Sequence, residues 1–142
     1  MRIKRSIEGW LLNAQAQRVL LLQVPARPGD HDAFWQPVTG GIKGNETPLQ
    51  ACLREVAEET GLRLDSGNVK VVVDGFDVVI NQSLTVRKVV YAVQVSETSG
   101  TTLNPDEHQD ARWVPVSEVE GWLLWESNRE TWKHIAQSLA QA

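Results

Sequence analysis

The fold is decided by the stretch GGIKGNETPLQACLREVAEETGL, which occupies residues 40–62. Thr47 is a favourable N-cap residue, Pro48 suits the first helical position, and Gln50 completes a capping box with Thr47. Gly61 is placed for the left-handed position that often ends a helix. These signals predict a helix bounded by Thr47 and Gly61, with a glycine-rich loop in front of it.

The predicted helix has two different faces when its residues are placed at about 100° each around the axis. One face is mainly apolar and is expected to be core, and it gathers Leu49, Leu53, Val56, Ala57 and Thr60. The opposite face gathers Glu55, Glu58 and Glu59, at spacings i, i+3 and i+4. Three carboxylates are therefore expected within about one helical turn.

An acidic helix face is most often simply solvated, and composition alone leaves that interpretation open. Two features argue against it. Like charges at i and i+4 repel each other, and Arg54 is the only basic residue in the helix. The acids also lie in the C-terminal half, where the helix dipole disfavours negative charge. A bound cation relieves both costs, and carboxylates without Cys or His suit a hard ion such as Mg²⁺ or Mn²⁺.

The wider pattern around these acids is G-x5-E-x7-R-E-U-x-E-E-x-G-U, where U is aliphatic, and it is complete from Gly40 to Leu62. Ordinary residue frequencies give a chance match on the order of 10⁻⁸ or less. The segment resembles the Nudix box. That resemblance implies the Nudix fold, an α/β/α sandwich around a mixed β-sheet with the box as loop–helix–loop. It also implies an enzyme that hydrolyses a pyrophosphate bond, an acid anhydride, with the help of a metal.

The resemblance assigns the metal site and the chemistry. The family's metal-binding and catalytic acids correspond to Glu55, Glu58 and Glu59, which the backbone carbonyl of Gly40 often joins. Mg²⁺ is the implied cofactor, with Mn²⁺ as an alternative. The cation offsets phosphate charge, and a carboxylate takes a proton from the water that attacks phosphorus. Which glutamate acts as that base varies within the family and is not assigned.

The same resemblance assigns supporting residues. Glu46 and Arg54 correspond to a pair that braces the loop against the helix. Glu107, in the stretch PDEH at residues 105–108, resembles a further catalytic acid that a late loop supplies. An ordinary loop acid is an equal alternative for Glu107.

Residues outside the box are weaker candidates for substrate contacts. Arg27 and Lys43 are candidates for binding phosphate, although exposed basic residues are usually only solvated. Trp35 is a candidate for stacking on a planar base, with a place in the core as the alternative. Cys52 is expected to pack, since no His/Asp pattern supports a nucleophile. No metal-like spacing relates the three histidines, which are given no role: His31, His108 and His134.

Short motifs narrow the substrate. Residues 34–40, FWQPVTG, resemble the F-W-Q-x-V-T-G of bacterial dihydroneopterin triphosphate pyrophosphohydrolases, and residues 125–129, WESNR, resemble their W-S-N-R stretch. The downstream proline of ADP-ribose hydrolases is missing, since no proline lies between Pro48 and Pro105. The tyrosine that marks dinucleoside polyphosphate hydrolases is also missing near the box, since the only tyrosine is Tyr91.

These motifs imply cleavage of a purine nucleoside triphosphate or a pterin triphosphate to the monophosphate and pyrophosphate. The first alternative is a nucleoside diphosphate linked to a sugar or other group. A second is a Nudix sensor that binds a ligand without turnover, but such domains typically lose part of the box. An mRNA-decapping enzyme is a third, and it predicts a longer basic surface than this sequence offers.

Composition limits the remaining classes. A length of 142 residues predicts one domain, residues 1–142, and the single cysteine excludes an internal disulfide, as suits the cytoplasm. No apolar run approaches the ~20 residues that span a membrane. A net charge of −4 argues against binding duplex nucleic acid. The expected partner is a phosphorylated small molecule, and a homodimer is left open.

The rest of the chain predicts alternating strands and helices. Runs rich in aliphatic residues predict strands at Val19–Val24, Val69–Val73, Val86–Val95 and Arg112–Val116. Predicted breaks lie at Pro25–Asp32, Asp74-Gly75 and Asn81–Ser83. Two capping boxes, Ser117 with Glu120 and Ser127 with Glu130, predict the starts of two closing helices. The apolar face of the last helix comprises Trp132, Ile135, Ala136 and Leu139.

Overall fold

The computed structural model describes residues 1–141. Its strands are β1 (Arg2–Leu12), β2 (Arg18–Val24), β3 (Phe34–Gln36), β4 (Val38–Gly41), β5 (Val69–Asn81), β6 (Leu84–Gln94) and β7 (Asp110–Pro115). Its helices are α1 (Pro48–Thr60), α2 (Val119–Trp122) and α3 (Glu126–Ala140). None of the helices in this part of the chain combines the length and the apolar character needed to cross a membrane.

Within the described residues the strands form one mixed, seven-stranded sheet in the order β3-β2-β1-β6-β5, with β4 on β1 and β7 on β2. β1 runs parallel to β6 from Arg2–Leu84 to Leu12–Gln94 and antiparallel to β2 and β4. In the pairing with β4, Ile7 lies opposite Gly40. The glycine-rich start of residues 40–62 is therefore tied to the central strand.

Alternating side chains of the sheet build a core on each face. Leu20 and Leu22 of β2 pack in the same cluster as Cys52 of α1. The intervening Leu21 packs in a second cluster with Ile135 of α3. A strand presents successive side chains to opposite faces, so helices cover the sheet on both sides. The predicted α/β/α sandwich is confirmed.

Helix α1 has the predicted bounds. The hydroxyl of Thr47 accepts a hydrogen bond from the Gln50 amide at 3.1 Å, and the Gln50 side chain accepts one from the Thr47 amide at 2.9 Å. Gly61 ends the helix with φ at +76°, in the left-handed region where glycine carries no Cβ penalty. The local capping signals alone were enough to place both ends of this helix.

The predicted core face of α1 was only partly right. The buried positions are Ala51, Cys52, Glu55, Val56, Glu59 and Thr60, whereas Leu49, Leu53 and Ala57 are only half-buried. The helix is therefore rotated about its axis from the expected orientation, so that two of the three acids turn toward the sheet. Space for this rotation exists because Gly40 in β4 has no side chain beside Glu55.

Two other predictions need correction, although the four predicted strands are present. β5 continues through Asp74-Gly75, where a bulge with φ of +97° at Gly75 replaces the predicted break. α3 begins at Glu126, and within residues 1–141 no side-chain hydrogen bond caps either α2 or α3. The guanidinium of Arg129 instead donates to the carbonyls of Leu123 and Leu124 at 3.2 and 3.1 Å, which fixes the entry to α3.

Candidate active site

One ion pair joins the loop to the acid-bearing helix. Arg54 Nε and Nη2 donate to the two oxygens of Glu46 at 2.6 and 2.9 Å, and Nη2 also donates to the Gly41 carbonyl at 2.9 Å. Glu46 also accepts the Lys43 amide at 2.9 Å. The hydrogen bonds from Arg54, and then that from Lys43, lower the pKa of Glu46 to about 2. The loop is thus held on the helix by a bidentate, charge-assisted contact.

The same guanidinium also engages two of the three clustered acids. Arg54 Nη1 donates to Glu55 at 2.7 Å and to Glu58 at 3.2 Å. Glu55 is buried, whereas Glu58 is exposed to solvent. Arg54 therefore offsets part of the charge that these carboxylates bring together.

Gly40 forms a cradle for Glu55. A Cβ atom at Gly40 would lie 2.1 Å from Glu55 Cδ and 2.3 Å from Glu55 Oε1, inside any real contact distance. At Gly41, by contrast, the nearest atom to an added Cβ is the flexible Lys4 Cε at 3.7 Å. Glycine at residue 40 is therefore required for the carboxylate of Glu55 to lie against the backbone of β4.

Glu59 differs from the other two helix acids in its burial and in its lack of hydrogen-bond partners. It is 1% exposed, and neither carboxylate oxygen has a hydrogen-bond partner among residues 1–141. Burial, followed by the neighbouring carboxylates of Glu55 and Glu107, holds the pKa of Glu59 far above its usual range. A buried carboxylate is costly unless positive charge or hydrogen-bond donors offset its burial, so this position suits a cation.

A tight turn brings two more groups to Glu59. The amides of Glu107 and His108 both donate to the Asn104 carbonyl, at 3.1 and 3.0 Å, and the Gln109 amide donates to Gln23 of β2. His108 Nε2 lies 3.8 Å from Glu59 Oε1. Burial, and next the carboxylates of Glu55 and Glu58, raise the pKa of Glu107, while burial lowers the pKa of His108.

A cleft of about 350 Å³ opens beside Glu59. It is lined by Val24, Arg27, Phe34, Gln36, Thr39, Glu59, Asp106, Glu107 and His108. Phe34 and Gln36 point into it from alternate positions of β3, and the Phe34 ring packs edge-on against Trp125. An aromatic ring and an amide therefore stand next to the acids.

Of the three predicted substrate contacts, only Arg27 lines the cleft in the described residues. Arg27 lines the cleft, where its guanidinium lies 3.6 Å from Asp30. Trp35 does not line it in the described chain, because the ring faces the other side of β3 and packs against Trp122 with centroids 5.1 Å apart. Lys43 is exposed on the loop before α1 and likewise lies outside this cleft among residues 1–141. The core alternative for Trp35 thus describes its position.

Sequence reasoning gave no site role to Phe34, Gln36 and His108, which line the cleft. Phe34 and Gln36 lie on either side of Trp35, and a period of two along a strand separates them from it. His108 received no role, although it follows Glu107 directly. Cys52, expected to pack, is fully buried, and burial raises the pKa of its thiol to about 12.

The residues present fit a hard divalent cation. Glu59 offers two buried, unpaired oxygens, Glu55 lies in the Gly40 cradle, and Glu58 reaches solvent on the same helix. Carboxylate and carbonyl oxygens are the donors that Mg²⁺ and Mn²⁺ prefer. The arrangement can therefore hold a cation next to a cleft whose lining includes one arginine for an anionic ligand.

Comparison with known proteins identifies a family model that matches nearly the whole chain. The model of the NUDIX domain family matches residues 3–137. Dihydroneopterin triphosphate diphosphatase of Haemophilus influenzae is 52% identical over 48 residues, which cover 34% of this chain and 27% of that protein. An octanoyltransferase of Myxococcus xanthus is 37% identical over 60 residues, 42% of this chain and 16% of that protein. The chain thus spans less than a third of each of these curated relatives.

Among solved structures, the dihydroneopterin triphosphate pyrophosphohydrolase of E. coli superposes with a TM-score of 0.73 and 22% identity, over 100% of both chains. At this level of identity the likeness concerns the fold alone. It agrees with the sandwich described above.

Gly40→Ala is expected to displace Glu55 and to weaken divalent-cation binding, because the added methyl occupies the space of the carboxylate. The matched control Gly41→Ala, with its nearest neighbour at 3.7 Å, is expected to bind Mn²⁺ like the wild type. Calorimetric titration of both variants with Mn²⁺ measures the difference. Equal Mn²⁺ affinities for the two variants would contradict the claim that Gly40 provides the space for the Glu55 carboxylate.

Glu59→Gln is expected to change the pH dependence of stability in EDTA. The folded pKa of Glu59 lies above its unfolded value, so its contribution is fully present below about pH 4.5 and is lost as pH rises toward the folded pKa. Melting temperatures between about pH 5 and pH 9 should therefore fall less in Glu59→Gln than in wild type. The exposed Glu58→Gln should follow the wild-type profile, and parallel curves for all three proteins would refute the assignment.

Proposed function

This chain belongs to the Nudix family of pyrophosphate-bond hydrolases, and on that premise we propose that it hydrolyses a purine nucleoside triphosphate or a pterin triphosphate to the monophosphate and pyrophosphate. The proposal is supported above all by Glu59, whose buried oxygens lack partners among the described residues and border a cleft. Such a carboxylate is expensive to bury unless a cation binds it.

Glu55, Glu58 and Glu59, with the carbonyl of Gly40, are the proposed ligands of Mg²⁺, with Mn²⁺ as an alternative. When bound, the cation offsets the charge of the phosphate oxygens and makes water more acidic. Arg54 donates to only one oxygen of Glu55 and one of Glu58, which leaves the other oxygen of each carboxylate for the cation. These two hydrogen bonds set the orientation of Glu55 and Glu58.

The proposed reaction is a hydrolysis in which a water oxygen forms a new bond to one phosphorus. The bond from that phosphorus to the bridging oxygen breaks, and pyrophosphate leaves. The water proton passes to a carboxylate that Arg54 does not engage in the described chain, namely Glu59 or Glu107. Arg27 lines the same cleft and is proposed to contact the phosphate chain.

The substrate class rests on the lining of the cleft and on residues 34–40. A volume of about 350 Å³ is in the range of small-molecule sites. Phe34 offers an aromatic edge or face to a flat bicyclic ring, and the amide of Gln36 offers both a donor and an acceptor to its rim. Purines and pterins share that shape and that hydrogen-bonding character. The stacking role first considered for Trp35 passes to Phe34 in this proposal.

The test is a panel of kcat/KM values with Mg²⁺ across dATP, GTP, 8-oxo-dGTP, dihydroneopterin triphosphate, ADP-ribose and diadenosine polyphosphates. We expect a triphosphate to be the best substrate and pyrophosphate, rather than phosphate, to be released from it. Excess EDTA should abolish the rate, and Mg²⁺ should restore it.

Either of two results would contradict the proposal. One is a preference of about tenfold or more, about 1.4 kcal/mol of transition-state stabilisation, for ADP-ribose or a dinucleoside polyphosphate over every triphosphate. The other is a rate that survives excess EDTA undiminished.

A further inference from the structure

The cleft contains an amide side chain whose orientation is fixed by a neighbour. The amide nitrogen of Gln36 lies 3.1 Å from Nε2 of His108. We propose that His108 is a positioning residue that holds the Gln36 amide with its carbonyl oxygen toward the ligand, so that the cleft selects a ring with N–H donors on its rim. The proposal deepens the proposed function and rests on it for the presence of a ring in the cleft.

The direction of this hydrogen bond follows from the two groups. An amide nitrogen carries hydrogens and does not accept, so Gln36 is the donor and Nε2 of His108 is the acceptor. A neutral imidazole with an unprotonated Nε2 carries its proton on Nδ1. His108 is 3% exposed, and burial favours the neutral ring. Glu59 does not compete for Nε2, because its Oε1 atom is 3.8 Å away, beyond hydrogen-bonding distance.

The backbone holds the imidazole at a fixed point. The His108 amide donates to the Asn104 carbonyl at 3.0 Å, and the amide of the next residue, Gln109, donates to the Gln23 carbonyl at 3.0 Å. Rotation of the Gln36 amide by half a turn would break its bond to His108. It would also place an oxygen against the Nε2 lone pair. The nitrogen and the oxygen of this amide therefore keep their positions.

The carbonyl oxygen is the part of the Gln36 amide that is left for a ligand. Within residues 1–141 this oxygen accepts no hydrogen bond, and unlike the oxygens of Glu59 it is not enclosed by the protein. Gln36 and Phe34 both line the cleft. They lie two positions apart on one strand, which places them on the same face at a spacing of about 7 Å. A flat ring stacked on Phe34 has its rim at the Gln36 carbonyl.

An acceptor in a fixed position distinguishes rings by the donors on their rims. The 2-amino-4-oxopyrimidine ring, which guanine shares with pterins, carries adjacent N–H donors on a ring nitrogen and on the amino group. Adenine has an unprotonated ring nitrogen at the corresponding edge, and its lone pair would face the lone pairs of the carbonyl. A site that leaves a polar group unpaired rejects a ligand far more strongly than one that differs only in size. We therefore expect guanine and pterin rings to be preferred to adenine.

Calorimetric titration with GMP and with AMP, in the presence of Mg²⁺, measures this preference without turnover. Wild-type protein is expected to bind GMP at least about tenfold more tightly than AMP. Gln36→Leu and His108→Leu should each reduce the ratio to within about threefold, because GMP loses its fixed acceptor. The matched control Gln109→Leu changes an exposed glutamine beside His108 that does not line the cleft in the described chain, and it should keep the wild-type ratio.

A double variant separates positioning from a direct effect of His108. If His108 acts through Gln36, adding His108→Leu to Gln36→Leu should leave the ratio of the two affinities unchanged. His108→Gln supplies an acceptor oxygen again and should restore part of the preference for GMP. A further loss of selectivity in the double variant, equal to that of His108→Leu alone, would contradict the positioning role.

The tautomer of His108 gives a readout that needs no substitution of this buried residue. In wild-type protein with ¹⁵N-labelled histidine, we expect an unprotonated Nε2 and a protonated Nδ1 at neutral pH. The chain has three histidines, so the spectra of His31→Gln and His134→Gln identify the signals of His108. A proton on Nε2, or a wild-type protein that does not prefer GMP to AMP, overturns the proposal.

These measurements also separate this inference from the proposed function. Triphosphate hydrolysis with equal affinities for GMP and AMP contradicts the inference and leaves the proposed function standing. A preference for GMP that depends on Gln36 and His108, in a protein that hydrolyses no triphosphate, supports the inference and contradicts the proposed function.

Discussion

The site depends on one guanidinium, that of Arg54, which fastens the acid-bearing helix to the glycine-rich loop in front of it. Its bonds to Glu46 and to the Gly41 carbonyl are charge-assisted, and such bonds are roughly twice as strong as neutral ones. Only 20% of the side chain is exposed, so salt screens the contact weakly. With the loop held on the helix, Gly40 and Glu55 meet at a fixed point, which also sets the positions of Glu58 and Glu59 on the same helix.

The burial of Glu59 beside other carboxylates is the energetically unfavourable part of this site. A buried carboxylate without partners among the described residues, close to Glu55 and Glu107, raises the free energy of the metal-free fold. A cation removes that cost, which couples metal affinity to the same contacts that hold the helix in place. The proposed cation would also give this acidic chain, with its net charge of −4, local positive charge for an anionic substrate.

Short-range sequence signals correctly predicted the features that depend on neighbouring residues in the chain. Thr47, Gln50 and Gly61 gave both ends of α1, because capping depends on residues within one turn of the chain. The rotation of the helix was not predicted, since the burial of Glu55 depends on a missing Cβ at Gly40, in another element. The sequence analysis made Trp35 the candidate for stacking, whereas Phe34 lines the cleft. β3 has only three residues, too few for an alternation of buried and exposed positions to show which side chain faces the cleft. His108 was missed because no sequence spacing relates it to Glu59.

The central claim is that Glu59 is the carboxylate on which cation binding and catalysis depend. It is tested most directly by the turnover of Glu59→Gln with Mg²⁺ on the best triphosphate, measured beside its thermal unfolding. The account predicts a kcat lower by roughly two to four orders of magnitude with a cooperative unfolding transition at or above the wild-type temperature. A folded Glu59→Gln protein with a kcat within about threefold of the wild type would contradict it.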